Sequence, residues 1–193
     1  MLGLKLPTDP RWVNLAEKNL EDILTDHAYC EQKAASSCIT LIQLYPDKTE
    51  LVNALAPIVT EEWGHFRLVL TLINEFDLKL GPQRPDEYVN ELLKFIRSGG
   101  SRHDRLIDRL LVFAMIEARS CERFRLLSLH LEDEKLREFY HTFMVSEAGH
   151  YRLFLDLAKQ YDEHGSAISR WQQLIEFEAN LITAMTLRGD RMH

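Results

Sequence analysis

The chain has 193 residues, a formal net charge of −7 and 46% apolar content. That length fills one well-buried core and is short for two, so a single domain over residues 1–193 is expected. The acidic balance excludes a generally basic, nucleic-acid-coating surface, though not a local basic patch. Cys30, Cys38 and Cys121 are odd in number and form no C-x-x-C pair. This argues against a disulfide framework or a zinc module and for a reducing, cytoplasmic setting. No apolar run reaches the roughly 18 residues of a membrane span. The start, MLGLKLPTDPRW, lacks the basic and apolar segments of a signal peptide.

Thr8-Asp9-Pro10 reads as a helix start, a polar cap followed by a proline whose missing N–H costs nothing there. Helical periodicity then runs to about Tyr45, with a break near Asn19 and a stop at Pro46. Leu24, His27, Ala28, Glu31, Ala34, Ala35, Cys38 and Ile42 share one stripe. Glu31 thus sits in a small, apolar face, where an unpaired carboxylate is expensive and wants a cation or a proton. A second helix is expected over about 48–76, with Pro57 placed to kink it. Its inner face carries Leu55, Ile58, Val59, Glu62, His65, Phe66 and Val69. A connection and a short helix of about 86–97 follow, ended by Ser98-Gly99-Gly100-Ser101. Such a long crossover is what a ferritin-like four-helix bundle needs to return its chain in the right direction.

The third main helix, about 102–129, carries Leu110, Ala114, Glu117, Cys121 and Phe124 on one stripe. The fourth, about 133–161, turns Tyr140, Phe143, Met144, Glu147, His150, Tyr151 and Phe154 inward. Gly165-Ser166 caps a last helix of about 167–187, and the tail RGDRMH reads as polar and loose. No strand pattern competes, so the fold class is all-α, a ferritin-like bundle with a long crossover and additional helices.

Two of these helices repeat each other. Residues 61–73 read EEWGHFRLVLTLI and residues 146–158 read SEAGHYRLFLDLA, identical at seven of thirteen positions. On a helix, Glu and His three residues apart lie about 60° apart on one face and can reach one metal ion. Glu62 and His65 recur 85 residues on as Glu147 and His150, and Glu31 recurs 86 on as Glu117. Four glutamates and two histidines make the ligand set of a carboxylate-bridged di-iron or di-manganese centre. Hard oxygens with one imidazole per metal suit iron or manganese better than structural zinc. Gly64 and Gly149 stand beside the two histidines, where a missing side chain lets a backbone or ligand approach.

A lone E-x-x-H in a helical protein is usually a surface pair, and Glu138-Phe139-Tyr140-His141 is such a decoy, half a turn out of phase with His150. Glu122 breaks the offset and has Arg119 and Arg125 nearby, so it reads as solvated or salt-bridged. Glu61 yields to Glu62 because its counterpart is Ser146. His27, one turn before Glu31, lines a pocket, supports a ligand or is a satisfied core histidine. Cys30 and Cys121 read as small core residues.

The run DPRWVNLAEKNLEDILTDHAYCEQKAASS, the block IVTEEWGHFRLVL and the segments MIEARSCERFRLLS and FMVSEAGHYRLFLDLA closely resemble the bacterial tRNA-(2-methylthio-N6-isopentenyladenosine) hydroxylases, from about Asp9 to Trp171. The resemblance implies a non-haem di-iron monooxygenase that uses O2 and reducing equivalents to hydroxylate the isopentenyl group beside the tRNA anticodon. It implies two Fe ions held by Glu31, Glu62, His65, Glu117, Glu147 and His150, all present here. The chain has no flavin or Fe–S motif, so a separate reductase is expected as a partner. The tRNA anticodon stem-loop is the other, and no membrane is involved.

Positive charge gathers in RSGGSRHDRLIDRLL, giving Arg97, Arg102, His103, Arg105 and Arg109 as candidate tRNA contacts, with Arg84, Arg188 and Arg191 further afield. The plainer reading pairs these arginines with Asp104 and Asp108. Two other functions stay open at this point: an iron-storage or peroxide-scavenging protein, and a quinone-type di-iron hydroxylase at a membrane.

Overall fold

The computed structural model describes residues 2–193. Among the described residues the backbone forms seven helices and no strand: α1 (Arg11–Glu17), α2 (Leu20–Leu44), α3 (Thr49–Glu75), α4 (Glu87–Leu93), α5 (Arg102–His130), α6 (Glu134–Gln160) and α7 (Ala167–Ala184). They are distributed over two compact units. One comprises Leu15–Pro85 with Arg188–Met192, and the other the segment up to Asn14, Asp86–Leu187 and His193.

The first unit is built on the α2–α3 hairpin. Asn19 marks the expected break, and its side-chain amide donates to the Leu15 carbonyl at 2.7 Å. Pro46 halts α2 at Leu44, and four residues turn the chain into α3. Ile23, Leu24, Ala28, Ala35, Cys38 and Leu41 are buried on α2, as are Leu51, Leu55, Ile58, Val69 and Leu72 on α3. The helix runs through Pro57 without a break in its assignment. At its far end Asp77 takes the left-handed conformation (φ 53°) that usually falls to glycine.

The tail is not loose. The Arg191 guanidinium donates to Asp26 at 2.9 Å and the Met192 N–H to the other oxygen of Asp26 at 2.7 Å. Arg84 holds Asp22 and Asp190 at 3.1 and 3.0 Å. The tail expectation failed because its anchors lie far away in sequence, where a polar hexamer gives no sign of them. Arg84, Arg188 and Arg191 each bond a neighbouring aspartate within this unit.

The second unit packs α5 against α6, α7 and α4. Because α5 is covered on several sides, it buries polar side chains as well as apolar ones, and each of these needs a partner. Its start is fixed by a capping box: Ser101 accepts from the Asp104 N–H at 3.0 Å, and Asp104 accepts from the Ser101 N–H at 2.9 Å. The α4 helix is shorter than expected, its N-terminus capped by Asp86 accepting from the Val89 N–H at 3.0 Å. Asp162, rather than Ser166, caps α7, accepting from the N–H groups of Ser166 and Ala167 at 2.8 and 2.7 Å. The final residue belongs here too: the His193 ring stacks on Tyr88 and lies 2.9 Å from the Ser120 hydroxyl.

Asp108, fully buried, binds Arg97 through Nε (2.8 Å) and Nη2 (2.8 Å) and Arg170 through Nε (2.9 Å) and Nη2 (2.9 Å). Burial alone would raise its pKa. The hydrogen bonds from Arg97 and Arg170 win and hold it below the ordinary 3.8. A carboxyl depressed in the folded state adds stability above its unfolded pKa and loses it as pH falls through the folded one. Asp108→Asn should therefore cost about 2 kcal/mol at neutral pH. That deficit should shrink below about pH 4, as urea titrations of both proteins at pH 7 and pH 3 would show.

Candidate metal centre

Helical hairpins with short turns set the height of every residue along their axes. Glu31 lies thirteen residues before the end of α2 at Leu44, and Glu62 thirteen after the start of α3 at Thr49. The two glutamates are therefore level in an antiparallel pair. The same count holds in the other hairpin: Glu117 lies thirteen before His130, and Glu147 thirteen after Glu134. The sequence repeat is a repeat of hairpin geometry.

In the α2–α3 hairpin, Glu31, Glu62 and His65 each offer one ligand atom within 4.8 Å of the others. His65 Nδ1 lies 3.2 Å from Glu31 Oε2 and 3.5 Å from Glu62 Oε2. Glu62 is 1% exposed and His65 9%. The outward nitrogen of His65, Nε2, is 3.9 Å from the half-exposed Glu61, too far for a direct hydrogen bond. Burial would lower the His65 pKa. The hydrogen bonds and charges of Glu31 and Glu62 overturn that and push it up to about 10. The pocket favours positive charge at this imidazole.

His27, fully buried, sets its Nε2 2.9 Å from Glu31 Oε1. It fixes one carboxylate oxygen and leaves the other facing His65, which makes it a supporting residue rather than only a core histidine. Its spacing, i to i+4 from Glu31, is the signal that points to it in the sequence.

In the α5–α6 hairpin, Glu117, Glu147 and His150 likewise offer ligand atoms within 4.8 Å of one another. His150 Nδ1 lies 3.4 Å from Glu147 Oε2, and all three side chains are buried. The place that His27 takes in the first hairpin falls here to Phe113, set edge-on to Phe154 with centroids 5.5 Å apart. Phe124, Tyr140 and Phe143 form a second aromatic group between the same two helices.

The remaining expectations divide. His141 faces solvent, as a decoy should. Glu122 is buried and salt-bridged to Arg119, and accepts from the Thr8 hydroxyl at 2.7 Å. Cys38 and Cys121 are buried, with burial pushing their thiols up to about 12 and about 11. Cys30 is only half-buried. Neither Gly64 nor Gly149 meets another backbone, since a Cβ at either would find nothing within 4 Å.

In the basic stretch, Arg97 is engaged by Asp108 and, at 3.4 Å, by Asp104. His103 donates to the Tyr161 carbonyl, and Arg105 to the Gly100 carbonyl at 2.7 Å. Arg102 is exposed and Arg109 half-buried.

Two carboxylates and one imidazole, buried together in each hairpin, form a donor set that fits a hard divalent ion such as iron or manganese. An all-helical chain with two such sets is a metal-binding protein of the ferritin-like class.

The chain belongs to the family described as tRNA-(MS[2]IO[6]A)-hydroxylase (MiaE), whose model matches residues 2–193. The tRNA 2-(methylsulfanyl)-N(6)-isopentenyladenosine(37) hydroxylase of Pseudomonas putida is 38% identical over 174 residues, 89% of this chain and 82% of that protein. The Salmonella typhimurium protein of the same name is 29% identical, covering 93% of this chain and 83% of its own. A solved structure, Protein 43 with aldehyde deformylating oxygenase activity from Synechococcus, superposes with a TM-score of 0.91 at 35% identity. That likeness covers 98% of this chain and 94% of the other.

Proposed function

We propose that this protein hydroxylates the isopentenyl group of 2-methylthio-N6-isopentenyladenosine beside the tRNA anticodon, as one ferritin-like domain in the cytoplasm. The observation that carries this reading is the family match over residues 2–193 in a chain that keeps all six acids and histidines of the repeat. Glu31, Glu62, His65, Glu117, Glu147 and His150 would hold two irons. Among the described residues no helix is long and apolar enough to cross a membrane. The Synechococcus protein is named for a different activity, so it supports oxygen chemistry on this fold. The substrate reading rests on the family and the named relatives.

Bound iron would supply the oxygen activation that no side chain provides alone. The reaction balances as one C–H bond, O2, two electrons and two protons giving an alcohol and water. The electrons must come from a separate reductase. The chain's own part is to hold ligands and keep water out. His27 fixes Glu31 from one side, and the apolar residues around both hairpins shield the carboxylates. Arg102 and Arg105, at the start of α5, are the proposed phosphate contacts, with His103 and Arg109 beside them. Arg97 keeps only what Asp108 leaves free.

The direct check is nucleoside mass analysis of tRNA from cells lacking the gene. The hydroxylated base should vanish and its unhydroxylated precursor should accumulate. Unchanged levels of the hydroxylated base would end the assignment.

A further inference from the structure

A hollow of about 500 Å³ opens on the flank of α3, lined by Glu61, Gly64, His65, Arg67, Leu68 and Thr71. Its volume is in the range of small-molecule sites, about 300–1,000 Å³. The hollow reaches His65, whose inward nitrogen faces Glu31 and Glu62. Gly64 keeps it open, because a Cβ there would enter empty space. Leu68 stands 52% exposed, an apolar side chain without packing to explain it. Arg67 is exposed and, among the described residues, takes part in no ion pair. Trp63, one turn from Arg67, is 49% exposed and steadied by stacking on Phe66 at 4.9 Å.

We propose that this hollow receives the prenylated adenine, its prenyl arm passing Gly64 toward His65. The proposal rests on the tRNA reading above and adds the substrate's route. Each part of such a nucleotide meets a matching group. The branched hydrocarbon arm lies against Leu68 and the bare backbone of Gly64. The N6–H that a prenylated adenine retains has Glu61 as its acceptor. A flanking phosphate meets Arg67, and a neighbouring base has the free face of Trp63 to stack on. The acidic Glu61 would repel phosphate, so the backbone must cross on the Arg67 side.

The test uses the full-length, iron-loaded protein and two anticodon stem-loop RNAs, one carrying 2-methylthio-N6-isopentenyladenosine and one with plain adenosine. Gly64→Leu fills the hollow. It should keep wild-type iron content and an equal or higher Tm, because leucine favours the helix more than glycine does. Its preference for the prenylated RNA over the plain one should fall at least tenfold. Arg67→Glu should weaken both RNAs equally and lower the salt slope of binding by about one. Gly149→Leu, the same change at the matching place in α6, should alter neither. Full discrimination by Gly64→Leu, loss of discrimination by Gly149→Leu, or a wild type that binds both RNAs alike would overturn the route. A wild type that discriminates but never hydroxylates the prenylated tRNA would instead sink the tRNA reading itself, and this route with it.

Discussion

Glu62→Leu should abolish hydroxylation and leave a protein that holds little or no iron, while making the metal-free chain no less stable than the wild type. Glu62 is 1% exposed and sits 3.5 Å from His65 Nδ1. With an ion bound, its loss removes a ligand. Without one, the wild type must keep two carboxylates in a dry hairpin beside a single imidazole, and leucine removes one of the two. Replacing a whole buried ion pair or triad with hydrocarbon is often neutral or stabilising by about 1–4 kcal/mol, and Glu62→Leu leaves Glu31 and His65 to pair one to one, 3.2 Å apart. The measurements are iron per chain by metal analysis, activity on prenylated tRNA, and Tm of both proteins after chelation. A Glu62→Leu protein that retains two irons would remove Glu62 from the ligand set. Loss of Tm in the chelated state would show that the carboxylate is there for folding instead.

Arg119→Met should be the most damaging change to stability away from the proposed ligands. The fully buried Arg119 guanidinium donates to Glu178 at 3.0 and 2.6 Å, to the Thr8 hydroxyl at 3.2 Å and to the Leu6 carbonyl at 3.1 Å, and is paired with Glu122. Tyr88 donates to the same Glu178 oxygen at 3.1 Å, and Arg123 lies 4.8 Å over the Trp12 ring. One side chain thus ties the N-terminal segment and α7 to α5. Removing it strands the Glu178 and Glu122 carboxylates in the interior, which costs about 3–5 kcal/mol. At roughly 2–4 °C per kcal/mol for a chain of this size, Tm should drop by about 6–20 °C. Thermal unfolding by circular dichroism decides it. A shift of less than about 3 °C would mean that the network contributes little.

What the sequence made legible follows from what helices repeat locally. Glu31, Glu62, His65, Glu117, Glu147 and His150 are buried and grouped as threes because helical period and hairpin length are both written in residue spacing. The break at Asn19, the stop at Pro46 and the Ser101 start are likewise local. Pairings over long separations left no trace. Asp108 and Arg170 are 62 residues apart, and Asp26 and Arg191 are 165 apart. Charge counting alone therefore leaves Arg97 open between a phosphate and Asp108, and reads the tail as loose. The last helix shows the same limit: Asp162, four residues before Ser166, could be identified as its cap only from the fold of the intervening turn.

The internal repeat copies ligands and not surroundings. One lone glutamate leans on the imidazole of His27, whereas the other has the ring of Phe113 in the corresponding place. Charge beside Glu31 has a polar neighbour 2.9 Å away in the His27 ring. Four residues before Glu117 the corresponding position is Phe113, whose hydrocarbon ring has no proton to give. The two hairpins therefore present the same acids and histidines in unlike settings, an imidazole one turn before Glu31 and an aromatic ring one turn before Glu117.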